Sequence, residues 1–166
     1  MEFTDSNQYI LIPTFTPKAG TPLTPICLTV TFWLKIKNEF NSGYIFRYSR
    51  SNVSDSLISI NLYDDKFLRM HIGSKHYNSY TPVPYDTWNL VTSSFTCYPF
   101  YAYCTVLTYL NDSVLARAYV SVPPTDIFPF ETSDVVLLGG PDGFKGKIVN
   151  FKIFNPGSQR LITRKS

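Results

Sequence analysis

The sequence is poor in the residues that build helix surfaces. Alanine, glutamate, glutamine and methionine together number only 11 of 166 residues. Valine, isoleucine, threonine and the aromatic residues make up 66 of them. β-Branched and aromatic side chains favour pleated strands, whereas the scarce residues are those that a helix exposes to water. The composition excludes a helical bundle, argues against a βαβ repeat and predicts a single all-β domain.

Charge and long apolar runs are scarce as well. Only 16% of the residues are charged, and the formal net charge is +3. This is not the basic excess of a nucleic-acid-binding domain, so no nucleic-acid partner is expected. No run reaches the 18 or so apolar residues of a membrane span, so no span is expected in this chain. Residues 1–16 lack the basic stretch and apolar run of a signal peptide.

Strict alternation of apolar and polar side chains marks the longest candidate strand, residues 27–36. The apolar set, predicted to face the core, comprises Leu28, Val30, Phe32, Leu34 and Ile36. Trp33 is also expected to be buried, although it shares its face with threonines and a lysine. In residues 67–72, the alternation predicts that Leu68, Met70 and Ile72 face the core.

The other candidate strands are separated by turn signals. They are predicted at residues 9–12, 43–49, 57–63, 67–72, 86–96, 104–110, 114–120, 135–138 and 143–154. Residues 73–85 are predicted to form a short hairpin or loop, and Trp88 should share one side of its strand with Leu90 and Thr92. Ten or eleven antiparallel strands predict a sandwich of two sheets. The domain is expected to span residues 1–157, with a polar, basic tail at 158–166.

Three segments in a fixed order carry a family resemblance. They are LTVTFWLK at 28–35, WNLV at 88–91 followed by YLND at 109–112, and LLGG at 137–140 followed by GFKGKIVNFKIFN at 143–155. Over residues 26–156 the chain resembles the concanavalin A-like lectin/glucanase superfamily, and within it a laminin G-like or pentraxin-like domain. The resemblance implies that the sandwich is a two-sheet antiparallel jelly roll.

Two local features of the later segments, a turn and a β-bulge, can also be predicted from the sequence. Asp112 stands where the family usually has glycine, and because aspartate tolerates the left-handed region, the turn should survive. Asn150 stands where an acidic residue is common. The alternation slips by one residue along Ile148, Phe151 and Ile153, which indicates a β-bulge.

By this resemblance the chain is a non-catalytic recognition or adhesion module that binds glycan or protein ligands, within a larger extracellular or cell-surface protein or assembly. The alternatives are a purely structural jelly-roll subunit and, less favoured, a glycosidase-like enzyme. Retaining glycosidases need two carboxylates about 5 Å apart. The three glutamates, Glu2, Glu39 and Glu131, do not form such a pair on one strand. No catalytic residue is therefore predicted.

A calcium site is a further implication of the resemblance. Asp64 and Asp65 could supply oxygen ligands, joined by Asp142 or Asp134 from another loop, because this family often binds calcium at the rim of the sandwich. The simpler interpretation is that Asp64, Asp65 and the following lysine form a tight hairpin turn. We favour the turn.

An aromatic cluster occupies the predicted tip between two strands. It comprises Tyr98, Phe100, Tyr101 and Tyr103. Exposed tyrosine offers an apolar ring and a hydroxyl, which suits contact with a sugar or a protein. The alternative is a loop that folds back on the core as an extra strand, and the sequence leaves both open.

Cysteines flank this tip. If the intervening residues are the connecting loop, Cys97 and Cys104 oppose each other across an antiparallel pair and can form a disulfide. The alternative is free thiols in a cytosolic protein. Cys27 should remain unpaired in either case. His71 is expected on the solvent face, and the pair that it forms with His76 is not favoured as a metal site.

Two glycosylation sequons begin at Asn52 and Asn111. Such short motifs also arise by chance. Together with the close cysteine pair they favour the secretory pathway, hence an extracellular or cell-surface location, with a cytoplasmic one left open.

Overall fold

A computed structural model describes residues 1–5, 8–12, 25–37, 42–49, 56–63, 66–98, 101–121, 135–139 and 144–154. These residues form twelve strands and no α-helix, which confirms the all-β prediction. The strands are β1 (Glu2–Phe3), β2 (Tyr9–Ile12), β3 (Ile26–Ile36), β4 (Gly43–Ser49), β5 (Ser56–Tyr63), β6 (Phe67–Ile72), β7 (Lys75–Asn78), β8 (Asn89–Tyr98), β9 (Tyr103–Leu110), β10 (Ser113–Ser121), β11 (Val135–Gly139) and β12 (Gly146–Phe154). No described helix is long and apolar enough to cross a membrane.

The strands divide equally between two antiparallel sheets. Sheet 1 has the order β1-β12-β3-β8-β9-β10, and sheet 2 has the order β2-β11-β4-β5-β6-β7. Each sheet joins strands from both ends of the chain, so the architecture depends on pairings that are remote in sequence. The predicted two-sheet antiparallel sandwich is confirmed.

The core lies between the inner faces of the sheets. The five predicted inward residues of β3 are each at most 1% exposed, and those of β6 are fully buried. Phe151 of sheet 1 links the layers, because its ring stacks on Phe32 at 5.9 Å and on Phe46 of sheet 2 at 6.0 Å. The alternation of apolar and polar residues therefore identified the core-facing side chains of β3 and β6 correctly.

Trp33 is the exception, because its predicted burial is wrong. Its side chain is 37% exposed. β3 is paired on both sides, with Leu90 and Val149 as the partners of Trp33, so its pleat is fixed along the whole strand. The core residues of β3 have even numbers and Trp33 has an odd one. Its indole therefore cannot turn inward unless the whole strand turns over and all of its side chains change faces.

Several strand boundaries differ from the predicted ones. β8 begins at Asn89, so Trp88, which is 42% exposed, precedes the strand instead of lying within it. Two short strands, β1 and β7, were not predicted individually, since two to four residues carry too little alternation. The predicted tail at 158–166 lies outside the described residues, so the domain boundary stays a prediction.

The predicted bulge is confirmed, whereas the predicted left-handed turn residue is wrong. The register of β12 against β3 shifts between Val149 and Lys152, and Asn150 between them has φ +53°. In the β9–β10 turn it is Asn111, not Asp112, that has a positive φ, +54°. The Asn111 backbone N–H donates to the Leu90 carbonyl at 2.7 Å, and its Oδ1 accepts from the Leu90 N–H at 2.9 Å. These two bonds explain why Asn111 takes the left-handed position.

Candidate functional site

The end of the β8–β9 hairpin presents one residue pair to each side of sheet 1. Cys97 is paired with Cys104, and Tyr98 with Tyr103. Because neighbouring pairs point to opposite faces, the cysteines lie inside, where both are at most 3% exposed, and the tyrosines lie outside. The sulfurs of Cys97 and Cys104 are bonded as a disulfide, and Cys27 is unpaired.

The tyrosines at this end stack on one another. The rings of Tyr98 and Tyr103 are 4.7 Å apart and inclined by 24°, and the Tyr101 ring is 6.1 Å from that of Tyr103. Ala102, with φ +51°, lies in the turn back into β9. Tyr101 is 68% exposed, so this part of the tip does not pack on the core. Phe100, the remaining predicted member, lies outside the described residues.

A further tyrosine on the same face escaped the sequence analysis. Tyr119 of β10 is paired with Thr105, which is two residues from Tyr103 on β9, and it is 72% exposed. Tyr119 lies between Ala118 and Val120, which are both buried. The alternation of apolar residues along this strand could therefore have identified Tyr119 as an outward-facing tyrosine. Tyr98, Tyr101, Tyr103 and Tyr119 are called the tyrosine surface below.

A strip of hydroxyls continues from this surface along the outer face of sheet 1. Thr29 is bonded to Ser94, and Thr31 to Thr92, through hydroxyl pairs 2.9 Å apart. Cross-strand threonine and serine pairs of this kind stabilise a sheet and present a polar surface. The strip reaches Trp33, so the outer face of sheet 1 carries exposed aromatic rings at both ends and hydroxyls between them.

None of the predicted calcium ligands lies in the described part of the chain. This applies to Asp64, Asp65, Asp142 and Asp134, and calcium binding stays a prediction. Lys66, which follows the two aspartates, has φ +86°, as expected where a chain turns tightly. Among the described residues, histidine, cysteine, aspartate and glutamate side chains form no group of three or more that could hold a metal ion.

The one glutamate within the described residues is engaged in ion pairs. Its carboxylate lies 3.3 Å from the Lys147 amine and 3.6 Å from that of Lys37. A hydrogen bond from Lys147, followed by the charges of both lysines, lowers the pKa of Glu2. A carboxyl group that stays ionised does not suit the acid role in glycoside hydrolysis. Glu39 and Glu131 lie outside the described residues.

Of the two sequons, only Asn111 can be placed. It is exposed in the β9–β10 turn, where a glycan would not meet the core. Its side-chain oxygen is engaged with Leu90, as described above. Asn52 lies outside the described residues, and glycosylation at both sites stays a prediction.

Removing the disulfide with the double substitution Cys97→Ala and Cys104→Ala should lower the free energy of unfolding by about 2–3 kcal/mol. The cysteines are only seven positions apart, so the loop whose entropy the bond restricts is short. Urea denaturation of wild type and double variant measures the difference.

Thiol titration of denatured, unreduced protein from a secretory source should find one thiol, and a count of three would contradict the bridge.

No family model and no curated protein matches the sequence. Solved structures do match. A native heptameric SAP-like pentraxin from Limulus polyphemus is 17% identical over 91% of this chain and 77% of its own, with a TM-score of 0.54. The CBM40 of a Ruminococcus gnavus IT-sialidase, bound to alpha2,3 sialyllactose, is 10% identical over 95% and 92%, with a TM-score of 0.53.

A third similar structure is the CBM2 module of the evolved Dit of Lactobacillus casei BL23 phage J-1. It is 12% identical over 89% of this chain and 66% of its own, with a TM-score of 0.52. At these identities the likeness establishes the fold alone. The chain therefore has the jelly-roll sandwich fold of the concanavalin A-like, pentraxin-like type.

Proposed function

We propose that this chain is a non-catalytic recognition module that binds glycans at the tyrosine surface. The observation that carries the proposal is the exposure of Tyr101 and Tyr119, at 68% and 72%, beside a stacked tyrosine pair at the end of a disulfide-linked hairpin. Large aromatic rings are rarely left in water without a reason when they form a group.

The chemistry of the four tyrosines suits a sugar. A tyrosine ring packs against the apolar C–H face of a pyranose, and its hydroxyl reaches the sugar hydroxyls. Tyr98 and Tyr103 fix each other by stacking, and the disulfide one residue further along each strand limits movement of the hairpin end. A surface that is ordered before the ligand arrives loses less entropy on binding.

Two of the similar structures support this proposal in a general way, since their names describe modules designated CBM40 and CBM2, the former bound to a sialylated sugar. The disulfide supports an oxidising location, because such bonds persist in secreted and cell-surface proteins. We therefore also propose that the module acts outside the cell, as part of a larger protein or assembly.

Glycan-array binding by wild type, Tyr101→Ala and Tyr119→Ala tests the proposal. Each substitution should weaken binding of the best neutral glycan by about tenfold, the equivalent of about 1.4 kcal/mol. Trp88→Ala is the matched control, because Trp88 is an exposed aromatic residue just before the start of β8, about 30 Å from the hairpin end, and should leave binding unchanged.

The same experiment separates the alternatives. A structural docking subunit would bind no glycan on the array. A protein-binding module would also bind no glycan, but it would capture a protein ligand through the tyrosines. Incubation with β-glucan oligosaccharides should produce no cleavage. Wild-type binding that survives both tyrosine substitutions would refute the proposed surface.

A further inference from the structure

The two histidines of the chain lie side by side on the outer face of sheet 2. The sequence contains only these two, and His71 of β6 is the direct partner of His76 of β7. His71 alternates with the buried Met70 and Ile72, so it points away from the core. The spacing of five residues does not by itself bring two rings together. The two-residue turn between β6 and β7 does so, because it sets the register of the hairpin.

The distance between the two rings suits a shared metal ion. Their centres are 5.6 Å apart, and their planes are inclined by 38°. A histidine nitrogen binds zinc at about 2.0–2.1 Å, so two imidazoles on one ion have ring centres about 5–6 Å apart. The hairpin therefore holds the rings at a separation that an ion between them requires.

Each ring offers a nitrogen that solvent can reach. His76 is exposed, and His71 is half-buried. The Nε2 of His71 is closed to solvent, so Nδ1 is the nitrogen that an ion from solvent would meet. Burial, followed by the charges of His76 and Arg69, lowers the pKa of His71 to about 4. The imidazole is therefore neutral at physiological pH, and no proton has to leave His71 before a metal binds.

Unpartnered buried atoms lie on the other side of His71. The Nε2 of His71, the Oγ of Ser59 and the Oδ1 of Asn61 have no hydrogen-bond partner. Ser59 is paired with His71 in the β5–β6 ladder, and Asn61 follows on the same face of β5. An imidazole that binds a metal through Nδ1 carries its hydrogen on Nε2, and metal-bound histidines almost always donate that hydrogen to an oxygen. Two oxygens without a donor are thus available beside Nε2.

Arg69 is the positive group that acts on His71 from its own strand. Its guanidinium lies 3.3 Å from the centre of the Tyr63 ring, and its Nε donates to Asn78 Oδ1 at 2.9 Å. Tyr63 lies beyond Arg69 as seen from the histidine pair, because the pairs run in the order His71, Arg69 and Phe67 along β6, with Phe67 opposite Tyr63. The charge is therefore directed away from the two rings, although it still lowers their affinity for a cation.

We infer that His71 and His76 bind a divalent transition-metal ion, Zn²⁺ or Cu²⁺, through His71 Nδ1 and one nitrogen of His76. Ser59 and Asn61 act as positioning residues that accept the hydrogen bond from Nε2. With two protein ligands, the ion keeps further coordination positions for water. Calcium is excluded from this site, because it prefers oxygen ligands. The site is independent of the tyrosine surface, which lies on the outer face of the other sheet.

Titration calorimetry with ZnCl₂ and with CuCl₂ tests the inference. One ion should bind per chain, and Cu²⁺ should bind more tightly than Zn²⁺. His76→Ala should weaken the binding of both ions about tenfold or more, and since His76 is exposed, this variant should fold normally. Cys27→Ala is the matched control, because Cys27 is a free thiol on sheet 1 that could also bind these ions. It should leave the affinity unchanged.

Absence of binding by both ions would overturn the inference, and so would wild-type affinity in His76→Ala. Loss of binding in Cys27→Ala would also overturn it, since the thiol would then be the ligand. Arg69→Gln should strengthen zinc binding several-fold, because a nearby positive charge is removed. Weaker binding in Arg69→Gln would contradict a cation between the histidines.

The double substitution Ser59→Ala and Asn61→Ala tests the role of the two oxygens. Zinc affinity should fall about tenfold or more, as is typical when the partner of a metal-bound histidine is lost. The stoichiometry should remain one ion per chain, and the far-ultraviolet circular dichroism should match that of wild type. Unchanged zinc affinity in this variant would contradict metal binding through Nδ1 with Nε2 as the donor.

Discussion

Phe32→Ala should lower the free energy of unfolding by about 3–5 kcal/mol, whereas Trp33→Ala should lower it by less than about 1 kcal/mol. Phe32 is fully buried and stacks on Phe151, so its removal leaves a cavity between the sheets. Trp33 is 37% exposed and loses only contacts along the outer face. Substitution of the larger Trp33 is thus expected to destabilise the protein less than substitution of its smaller neighbour Phe32.

Urea denaturation followed by far-ultraviolet circular dichroism measures both values. Tryptophan fluorescence is unsuitable as the sole probe, because one of the two tryptophans is removed in Trp33→Ala. Equal losses, or a larger loss for Trp33→Ala, would mean that the pleat of β3 is opposite to the one described.

Gly139→Ala should destabilise the protein by about 2–4 kcal/mol. Gly139 ends β11 with φ +73°, a conformation that costs an L-residue free energy. A Cβ at this position would also overlap the carbonyl oxygen of Gln8 and lie 2.8 Å from the Phe3 ring. The Gln8 oxygen belongs to the backbone and cannot rotate away as the end of a flexible side chain can. The chain at Gln8, just before β2, and Phe3 of β1 would therefore both have to shift.

Gly73→Ala is the comparison for this effect. Gly73 has φ +53° in the surface turn between β6 and β7, so its substitution carries a similar backbone cost. We expect the melting temperature of Gly139→Ala to fall clearly below that of Gly73→Ala. Equal values would indicate that the contact of β11 with Gln8 is not tight.

The sequence alone predicted most of the strands, because their alternation is local. The bounds of β2, β4 and β6 match the predicted ranges, and β3 differs by one residue. Trp33 was misplaced because hydrophobicity was given more weight than the period of the strand. The order of strands in the sheets was beyond prediction, since it depends on pairings such as β1 with β12, which lie at opposite ends of the chain.

The candidate sites were predictable to different degrees. Tyr98, Tyr101 and Tyr103 lie next to one another in sequence, flanked by the cysteines, so their grouping was visible. Tyr119 joins them only through the β9–β10 register.

Backbone-amide chemical-shift mapping tests the central claim most directly. A neutral oligosaccharide selected on the glycan array is titrated into the isotope-labelled protein. The largest shifts are expected at Tyr98, at residues 101–105 and at Tyr119, with little change along β6 and β7. Absence of any glycan that binds, or shifts confined to another face of the sandwich, would contradict the assignment of the tyrosine surface as the recognition site.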